Sequence, residues 1–267
     1  MTTTAHDKAL RELLAFYREA GVDTAIGETP VDRLAEPAPA PPPAAAAPVR
    51  TLTPRDLATG AASAPPSPDA AVMAAREAAT TAATLDELRA ILDRFEGCAL
   101  RSTATQLVFG RGNPQARVMF VGEAPGYEED KSGMPFVGRS GQLLDRMLAA
   151  IGLDESNAYI ANIVPWRPPG NRTPTPQESA ICLPFIRRQI ELSGAAILVC
   201  LGGPSAQTLL NIRDGITKSR GRWYPFQAGD RELRALATFH PAFLLRSPLQ
   251  KRLAWRDFLA LRKALAQ

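Results

Sequence analysis

The sequence predicts an α/β fold: a three-layer α/β/α sandwich around a central, mostly parallel sheet, in a domain that covers residues 80–267. Apolar, strand-like runs alternate with helical runs as in βαβ crossovers, with strands at 118–121, 159–164 and 196–201 and helices at 142–151 and 177–192. The strand runs have few alternating polar positions, which indicates central strands covered by helices on both faces. Ligands bind such sheets beyond the carboxyl ends of the strands, so residues that follow each strand are the functional candidates.

The segments before this domain differ in composition. Leucines and a tyrosine recur at helical spacing within residues 1–34, which predicts an amphipathic helix over Thr4–Ala20 that docks on the main domain or binds a protein partner. Ten of the 24 prolines lie between Pro37 and Pro68 among alanine runs. This composition favours an extended chain, so residues 35–79 are predicted to be a flexible linker.

The main domain is predicted to open with a helix. Thr84 and Glu87 have the spacing of a capping box, in which each side chain accepts a hydrogen bond from the backbone near the other. The helix is expected to run to about Phe95.

Composition indicates an intracellular protein. A chain of 267 residues buries a core large enough to fold without disulfides, so three cysteines, odd in number and far apart, suit a reducing cytoplasm. No apolar run approaches the length of a membrane span, and the first residues lack the apolar core of a signal peptide. We therefore expect a cytoplasmic monomer that does not bind membranes.

The net charge of +4 is unevenly distributed. From Asn211 to Gln267 there are twelve Arg or Lys against four Asp or Glu, which leaves the preceding residues net negative. A basic segment of this kind is typical of proteins that neutralise nucleic-acid phosphates. The alternative is a solvated helix face, because five of the basic residues share one predicted terminal helix: Lys251, Arg252, Arg256, Arg262 and Lys263.

A glycine-rich loop follows the first strand. Residues Gly122–Gly126 read GEAPG, in which two glycines around a proline allow a backbone path whose amides point at a ligand. Glu123 lies at the end of the strand, where a site residue is expected. The alternative is a tight turn before a helix, and the loop lacks the lysine of a P-loop and the third glycine of a dinucleotide-binding motif.

Three further candidates lie in or beside predicted strand ends. Phe136, in a loop between a proline and a glycine, fills the core or offers its ring to a base. Asn162 lies in an apolar strand, where its amide needs partners from the fold or from a ligand. His240 closes the strand-like run 236–239, and Pro241 fixes the turn that aims the ring; a lone histidine is more often structural than catalytic, so both interpretations remain.

Three motifs together resemble family 4 uracil-DNA glycosylases, in their order and their spacing. They are residues 118–144, the segment NIVPWRPPGNRTP at 162–174 and the segment ATFHPAFLLR at 237–246. The middle segment also contains a stiff, basic loop suited to holding phosphate. The resemblance covers essentially all of residues 90–266.

The resemblance implies a role for each of five residues. Glu123 shapes the catalytic pocket and helps to position water or to balance the cationic sugar, and His240 hydrogen-bonds the uracil O2. Phe136 stacks on the flipped base, and Asn162 reads its O4 and N3–H edge. Glu129 lies near the C5 edge, where bulk excludes a methyl group.

Other residues of the same motifs are expected to bind substrate. Gly122 and Ala124 are expected beside the base. The residues expected to contact DNA are Arg139, Ser140, Arg172, Leu244 and Arg246. Leu244 or its neighbour Leu245 either wedges into the gap left by the flipped base or packs into the domain.

The implied activity is excision of uracil from single- or double-stranded DNA in base excision repair. The enzyme flips the nucleotide out, hydrolyses its glycosidic bond and leaves an abasic site. No lysine in the motifs is placed to form a Schiff base, so the strand is expected to stay intact. The alternative is a protein of the same fold that binds or traps DNA without turnover. Related trapping proteins carry a basic insertion before the histidine, and none precedes His240.

Many family members hold an iron–sulfur cluster on four cysteines, and this chain matches only two of the positions. Cys98 and Cys182 match the second and fourth ligands, whereas Phe95 and Trp166 stand at the first and third. Cys200, inside an apolar strand, is expected in the core. A four-thiolate cluster cannot be built from two thiols, so we expect no cofactor and no metal.

Overall fold

A computed structural model of the chain describes residues 68–267, which form an α/β domain around a six-stranded sheet. The strands are β1 (Arg111–Gly112), β2 (Val118–Gly122), β3 (Tyr159–Asn162), β4 (Ile197–Leu201), β5 (Trp223–Ala228) and β6 (Arg231–Thr238). The helices are α1 (Pro68–Thr81), α2 (Leu85–Arg94), α3 (Leu100–Thr103), α4 (Tyr127–Ser132), α5 (Arg139–Ala149), α6 (Pro176–Leu192), α7 (Gly203–Leu210), α8 (Ile216–Ser219), α9 (Pro241–Arg246) and α10 (Lys251–Leu265). Within residues 68–267 no helix is long and apolar enough to cross a membrane.

The four central strands are parallel, and the two edge strands are antiparallel to their neighbours. The strand order is β1-β3-β2-β4-β6-β5. The register places Gly122 beside Asn162 and Leu201 beside Thr238, so the carboxyl ends of the central strands meet at one edge of the sheet. The predicted fold class is confirmed.

Apolar side chains cover both faces of the central strands. Every residue of β2 and β4 is buried. Along β2, Met119 and Val121 join a core cluster beneath α1, α2, α6 and α7, whereas Val118 and Phe120 join a cluster beneath α5 and α10. Burial on both faces explains why the strands have so few polar positions.

A helix occupies the end of the segment predicted as a linker. Helix α1 packs against α6 through Ala71, Ala75 and Ala79, which are all buried and recur every fourth residue. Small side chains allow the two helices to pack closely. The linker prediction is therefore wrong for residues 68–79, where the alanine spacing indicated a helix and the overall composition concealed it. The predicted N-terminal helix and the rest of the linker lie outside the described residues.

The helix predicted to open the domain is confirmed, with a difference at its cap. The Thr84 hydroxyl accepts a hydrogen bond from the Glu87 N–H at 3.2 Å, and α2 follows directly. The Glu87 carboxylate accepts from the Ala83 N–H at 2.7 Å, one residue before the cap. In a capping box the Glu87 carboxylate would accept from the N–H of Thr84, and here it accepts from the preceding residue instead.

Strand β3 ends at Asn162, before the predicted end of the run. The next two amides still follow β2, since the N–H groups of Ile163 and Val164 donate to the carbonyls of Gly122 and Glu123. These bonds fix the backbone that follows Asn162 against the start of the glycine-rich loop.

Candidate active site

A cleft of about 650 Å³ opens beyond the carboxyl ends of the central strands. Most of the predicted site residues line it: Glu123, Ala124, Glu129, Phe136, Ser140, Asn162, Arg172, His240 and Arg246. Gly122, Arg139 and Leu244 are predicted residues that do not line it. The expectation that functional residues follow the strands therefore located the cleft. Nine of the predicted residues form its wall, and the other three lie behind or beside it.

Glu123 follows β2 and carries a buried carboxylate oxygen without a partner among the described residues. Its Oε1 accepts no hydrogen bond, and burial raises the pKa of the carboxyl group. The backbone of Glu123 is anchored, because its carbonyl accepts from the Val164 N–H. An unpaired, desolvated carboxyl group in a cleft destabilises the fold and is typical of a catalytic or ligand-binding residue.

Phe136 presents a nearly buried ring in the cleft wall. The residue is 4% exposed, and its ring centroid lies 5.5 Å from that of His240. Its φ of 57° lies in the left-handed region, which few residues other than glycine adopt. Gly141 makes this turn possible, because a Cβ there would lie 1.7 Å from the Phe136 carbonyl oxygen.

Gly122 acts from behind the wall. A Cβ at this position would lie 2.6 Å from Cζ of Phe136 and 2.5 Å from Oδ1 of Asn162. Such distances are too short for any real contact, so only glycine lets the ring and the carboxamide approach the end of β2 together. Gly122 therefore shapes the cleft without touching it.

Glu129 ties together the two loops that carry Glu123 and Phe136. The residue is 7% exposed. Its carboxylate accepts three hydrogen bonds from backbone N–H groups, those of Gly126 at 3.1 Å, Val137 at 3.0 Å and Gly138 at 2.9 Å. Both oxygens are thus engaged by the protein backbone. The side chain predicted to lie near the uracil C5 edge holds the loops in register, and its bulk still forms part of the cleft wall.

Asn162 ends β3 with its amide oxygen unsatisfied. The residue is 4% exposed, and Oδ1 has no hydrogen-bond partner among the described residues. Leaving such a group buried and unpaired costs about 1–3 kcal/mol. A ligand in the cleft that brings an N–H group would satisfy it.

His240 is the N-cap of α9, and this contact fixes its protonation state. Its Nδ1 accepts a hydrogen bond from the Ala242 N–H at 3.1 Å, so the proton of the neutral ring lies on Nε2. Burial, together with a smaller effect of the charge of Arg246, lowers the pKa of the ring to about 4. Near neutral pH the imidazole is therefore an uncharged hydrogen-bond donor.

A buried network fixes the strand that leads to His240. The Asp257 carboxylate, on α10, pairs with Arg220 and accepts a hydrogen bond from the Thr238 hydroxyl at 2.7 Å. Arg220 also donates to the Leu253 carbonyl at 2.9 Å. Burial raises the pKa of Asp257, against the opposing effect of these bonds. The network joins α10 to the last residue of β6.

The predicted DNA contacts divide into exposed and buried residues. Arg139 and Arg246 are exposed, and Ser140 is half-buried in the cleft wall at the start of α5. Leu244 is fully buried in a core cluster with Phe239, so it cannot enter a DNA stack and that prediction is wrong. Its neighbour Leu245 is 37% exposed and is the leucine of this helix that can reach a ligand.

Arg172 already has an acidic partner. Its guanidinium donates two hydrogen bonds to Glu178, at 2.8 and 2.7 Å, and this pairing lowers the pKa of Glu178. Glu178 also accepts from the Thr175 N–H at 2.7 Å, which completes the cap of α6. A phosphate at Arg172 would share the guanidinium with this carboxylate. The basic residues of α10 are all exposed, so both interpretations of the terminal charge remain.

The cluster positions of the family do not form a four-thiolate site here. Cys98 and Cys182 are buried with their thiols in contact, and hydrogen bonding with Cys182 lowers the pKa of Cys98. Trp166 is 2% exposed in the same core cluster, and the Phe95 ring packs edge-on against another phenylalanine, with centroids 4.9 Å apart. Among the described residues no group of three or more His, Cys, Asp or Glu side chains could hold a metal ion. The donor set present does not fit the cluster.

Sequence reasoning missed the part of the cleft that follows β4. Gly202, Gly203 and Pro204 line the cleft there. Gly202 has φ of 94°, and a Cβ would lie 3.0 Å from Cβ of His240, so this glycine allows the close approach of the histidine turn. The signal was present, since these residues follow the predicted strand 196–201 as Glu123 follows the strand 118–121.

The fold and the cleft together define an α/β protein that binds a flat heterocycle at the ends of its strands. The cleft offers an aromatic face, an unsatisfied amide and a neutral imidazole N–H at the strand ends of an α/β domain, a combination that fits a flat heterocycle with several polar edges.

Comparison with known proteins gives the family. The family described as Uracil DNA glycosylase superfamily matches residues 109–259. A type-4 uracil-DNA glycosylase of Archaeoglobus fulgidus is 40% identical over 169 residues, 62% of this chain and 85% of that protein. The type-4 enzyme of Thermotoga maritima is 41% identical over 169 residues, 61% of this chain and 86% of that protein. A type-5 uracil-DNA glycosylase of Thermus thermophilus is 31% identical over 151 residues, 49% of this chain and 67% of that protein. The chain therefore belongs to the uracil DNA glycosylase superfamily, and the predicted resemblance to its type-4 members is confirmed.

Proposed function

We propose that this protein excises uracil from DNA by hydrolysing the N-glycosidic bond, as the names of its relatives indicate for them. The observation that carries the proposal is the unsatisfied amide of Asn162 in a cleft that also contains Phe136 and His240. Water adds to the sugar C1′, the bond to the base N1 breaks, and uracil leaves as an anion that then takes up a proton. The products are free uracil and an abasic site in an intact strand.

Recognition of the base rests on Phe136 and Asn162. The ring of Phe136 stacks on the flipped uracil, and the Asn162 carboxamide pairs with its O4 and N3–H edge. Cytosine presents an amine where uracil presents O4, so it would leave buried polar groups unpaired. Glu129, Gly122 and Ala124 act through shape, since they hold the loops and the wall against which the base lies.

Catalysis rests on His240 and Glu123. As the bond breaks, negative charge develops on the base and positive charge on the sugar. The neutral His240 ring donates its Nε2–H to uracil O2, where the anion forms, and it needs no proton transfer to do so. The Glu123 carboxylate positions the water or balances the cationic sugar. Its partnerless Oε1 is the acceptor that such a water requires.

Binding of DNA rests on the exposed cations around the cleft. Arg139, Arg172 and Arg246 are proposed to contact phosphates, with Ser140 beside them. These contacts hold the strand while the nucleotide is extruded. Leu245 replaces Leu244 as the proposed wedge, because it is the exposed member of the pair.

We also propose that the enzyme works without an iron–sulfur cluster. Two thiols and two aromatic side chains occupy the four ligand positions, and the proposed chemistry uses none of them. Iron analysis of anaerobically purified protein tests this, with sub-stoichiometric iron and a colourless sample expected. Stoichiometric iron would show that other ligands complete the site.

The cysteines bear on the cellular setting. All three cysteines are free thiols, which suits the proposed cytoplasmic location. A monomeric state and a protein partner for the N-terminal helix remain predictions. The competing function is binding or trapping of DNA without turnover. Against it, β6 leads to His240 with one residue between them and no basic insertion.

Base specificity tests the proposal. Oligonucleotides with a single uracil, cytosine or thymine are incubated with the protein, and free bases are separated chromatographically. Only uracil is expected. Asn162→Ala should lower uracil release about 5- to 150-fold, the effect of one lost buried partner. Gln207→Ala removes an exposed carboxamide outside the cleft and should have no effect. Tight binding by the wild-type protein without any free base would favour the competing function.

A further inference from the structure

Tyr127 and Arg167 form a pair at the edge of the cleft to which the proposed function gives no role. Tyr127 opens helix α4 and directly follows Gly126 of the cleft wall, yet its side chain is 54% exposed. The guanidinium of Arg167 lies over the ring, with its central carbon 5.1 Å from the ring centroid. Arg167 directly precedes Pro168, which also lines the cleft. The pair therefore borders the cleft between the glycine-rich loop and the basic loop of residues 166–172.

Arg167 is held in place from two sides. Its Nε donates to Oδ1 of Asn171 at 2.6 Å, and a terminal nitrogen lies 4.0 Å from Oδ2 of Asp130. Asp130 is itself fixed, because it accepts hydrogen bonds from the N–H of Thr105 at 2.8 Å and from its hydroxyl at 2.9 Å. The guanidinium thus covers part of the tyrosine ring as a preorganised group, and the rest of the ring faces solvent.

An exposed aromatic ring beside a fixed cation matches one class of ligand. Nucleobases stack on such rings regardless of sequence, and the cation attracts both the base and the neighbouring phosphate. In a duplex the bases beside an extruded uracil remain paired and stacked on each other. In a single strand they are free to leave the stack, so they reach the ring without further unpairing.

We infer that Tyr127 and Arg167 form a stacking subsite for an unpaired base adjacent to uracil in single-stranded DNA. The inference rests on the proposed function, which places uracil in the cleft, and it assigns single strands as the favoured substrate class. Loss of the Tyr127 ring should weaken binding of single-stranded DNA by about 5- to 150-fold, the usual effect of one stacked base. Excision from duplex DNA should change little, because its flanking bases do not use the subsite.

Fluorescence of a base analogue tests the inference directly. Single-stranded oligonucleotides carry 2-aminopurine on either side of a 2′-fluorinated deoxyuridine, whose glycosidic bond resists hydrolysis. The wild-type protein should quench the analogue at one of the two positions, since stacking quenches its emission. Single-turnover excision from ordinary single- and double-stranded substrates is measured with the same variants.

Four variants separate stacking from other effects. Tyr127→Phe keeps the ring and should keep both the quenching and the single-strand affinity. Tyr127→Leu keeps apolar bulk without a ring and should lose both, as should Tyr127→Ala. Met73→Ala removes a 59% exposed apolar side chain on α1 and should behave as wild type. Melting temperatures of all variants identify any loss that follows from unfolding.

Two results would overturn the inference. Tyr127→Leu with wild-type quenching would show that bulk suffices, and Tyr127→Ala with unchanged single-strand affinity would show that no base stacks there. In either case uracil release by the wild-type protein would leave the proposed function standing. Conversely, quenching that depends on the ring in a protein that releases no uracil would support the subsite and refute the proposed function.

Discussion

His240 has two separate tasks, and variants of this residue can divide them. Nδ1 caps α9 by accepting from the Ala242 N–H at 3.1 Å, while Nε2 carries the proton that faces substrate in the proposed mechanism. Asparagine at this position supplies a capping oxygen near Nδ1 but does not extend to Nε2. Glutamine supplies an amide N–H near Nε2 but no capping oxygen. Alanine supplies neither group.

The expected magnitudes follow from these contacts. Loss of an N-cap costs about 1 kcal/mol, which lowers the melting temperature of a domain of this size by about 2–4 °C. Loss of a donor to a developing oxyanion lowers the rate about 10²- to 10³-fold. His240→Ala should show both losses, His240→Asn the rate loss alone, and His240→Gln the loss of stability with part of the rate retained.

Single-turnover excision, oligonucleotide affinity and melting temperature on the same preparations decide among these outcomes. Affinity should change little in all three variants, because the charge that His240 stabilises exists only in the transition state. His240→Asn with a wild-type rate would refute the proposed donor role. A rate that falls only in proportion to unfolded protein would show that the histidine is structural.

The same ring predicts a dependence on pH. Burial lowers the pKa of His240 to about 4, from an ordinary value near 6.5. Because the folded-state pKa is depressed, the ring's contribution to stability is complete above pH ~6.5 and is lost as the pH falls through about 4. Protonation of Nδ1 also removes the acceptor for the Ala242 N–H. Melting temperatures between pH 4 and 7 should therefore fall more steeply for the wild-type protein than for His240→Asn, and parallel curves would contradict the assigned burial.

Four further substitutions test the supports of the cleft and the proposed wedge. Gly122→Ala should lower the free energy of unfolding by about 1–3 kcal/mol and impair uracil binding, because its Cβ would lie 2.6 Å from Cζ of Phe136; normal kinetics would show that the ring moves freely. Leu244→Ala should cost about 2–5 kcal/mol of stability, whereas Leu245→Ala should slow excision from duplex DNA at an unchanged melting temperature; the reverse pattern would restore Leu244 as the wedge. Glu129→Ala should slow excision without weakening binding to undamaged DNA, since it frees the loops around the base and no phosphate contact; an unaffected rate would exclude the positioning role.

Much of the architecture could be predicted because strand ends in parallel sheets collect functional residues. The apolar runs located the central strands, and Glu123, Asn162 and His240, which lie at or just beyond the ends of three of them, line one cleft. Functional residues were equally to be expected after β4, but Gly202 and its neighbours were overlooked because they have no functional side-chain group. Residues with functional side chains are the easier ones to select from sequence, and the glycine turn after β4, which matters for its lack of side chains, was missed.

Other features depend on packing that sequence does not reveal. Leu244 and Leu245 are adjacent and identical, and only the orientation of α9 decides which one is buried. The sequence places Glu129 near the uracil C5 edge through resemblance alone, and only the structure shows that both its carboxylate oxygens accept from backbone amides of two loops. The pairing of Arg172 with Glu178 likewise depends on the turn between them.

The central claim is that this protein hydrolyses the glycosidic bond of deoxyuridine in DNA, and intact-mass measurement tests it most directly. A single-stranded oligonucleotide with one uracil is incubated with the protein, and both molecules are weighed by mass spectrometry before any alkali is added. The account predicts an oligonucleotide of full length in which a hydroxyl group has replaced uracil, together with free uracil and a protein of unchanged mass. An unchanged oligonucleotide, a cleaved strand or a protein that carries covalently bound DNA would each contradict it.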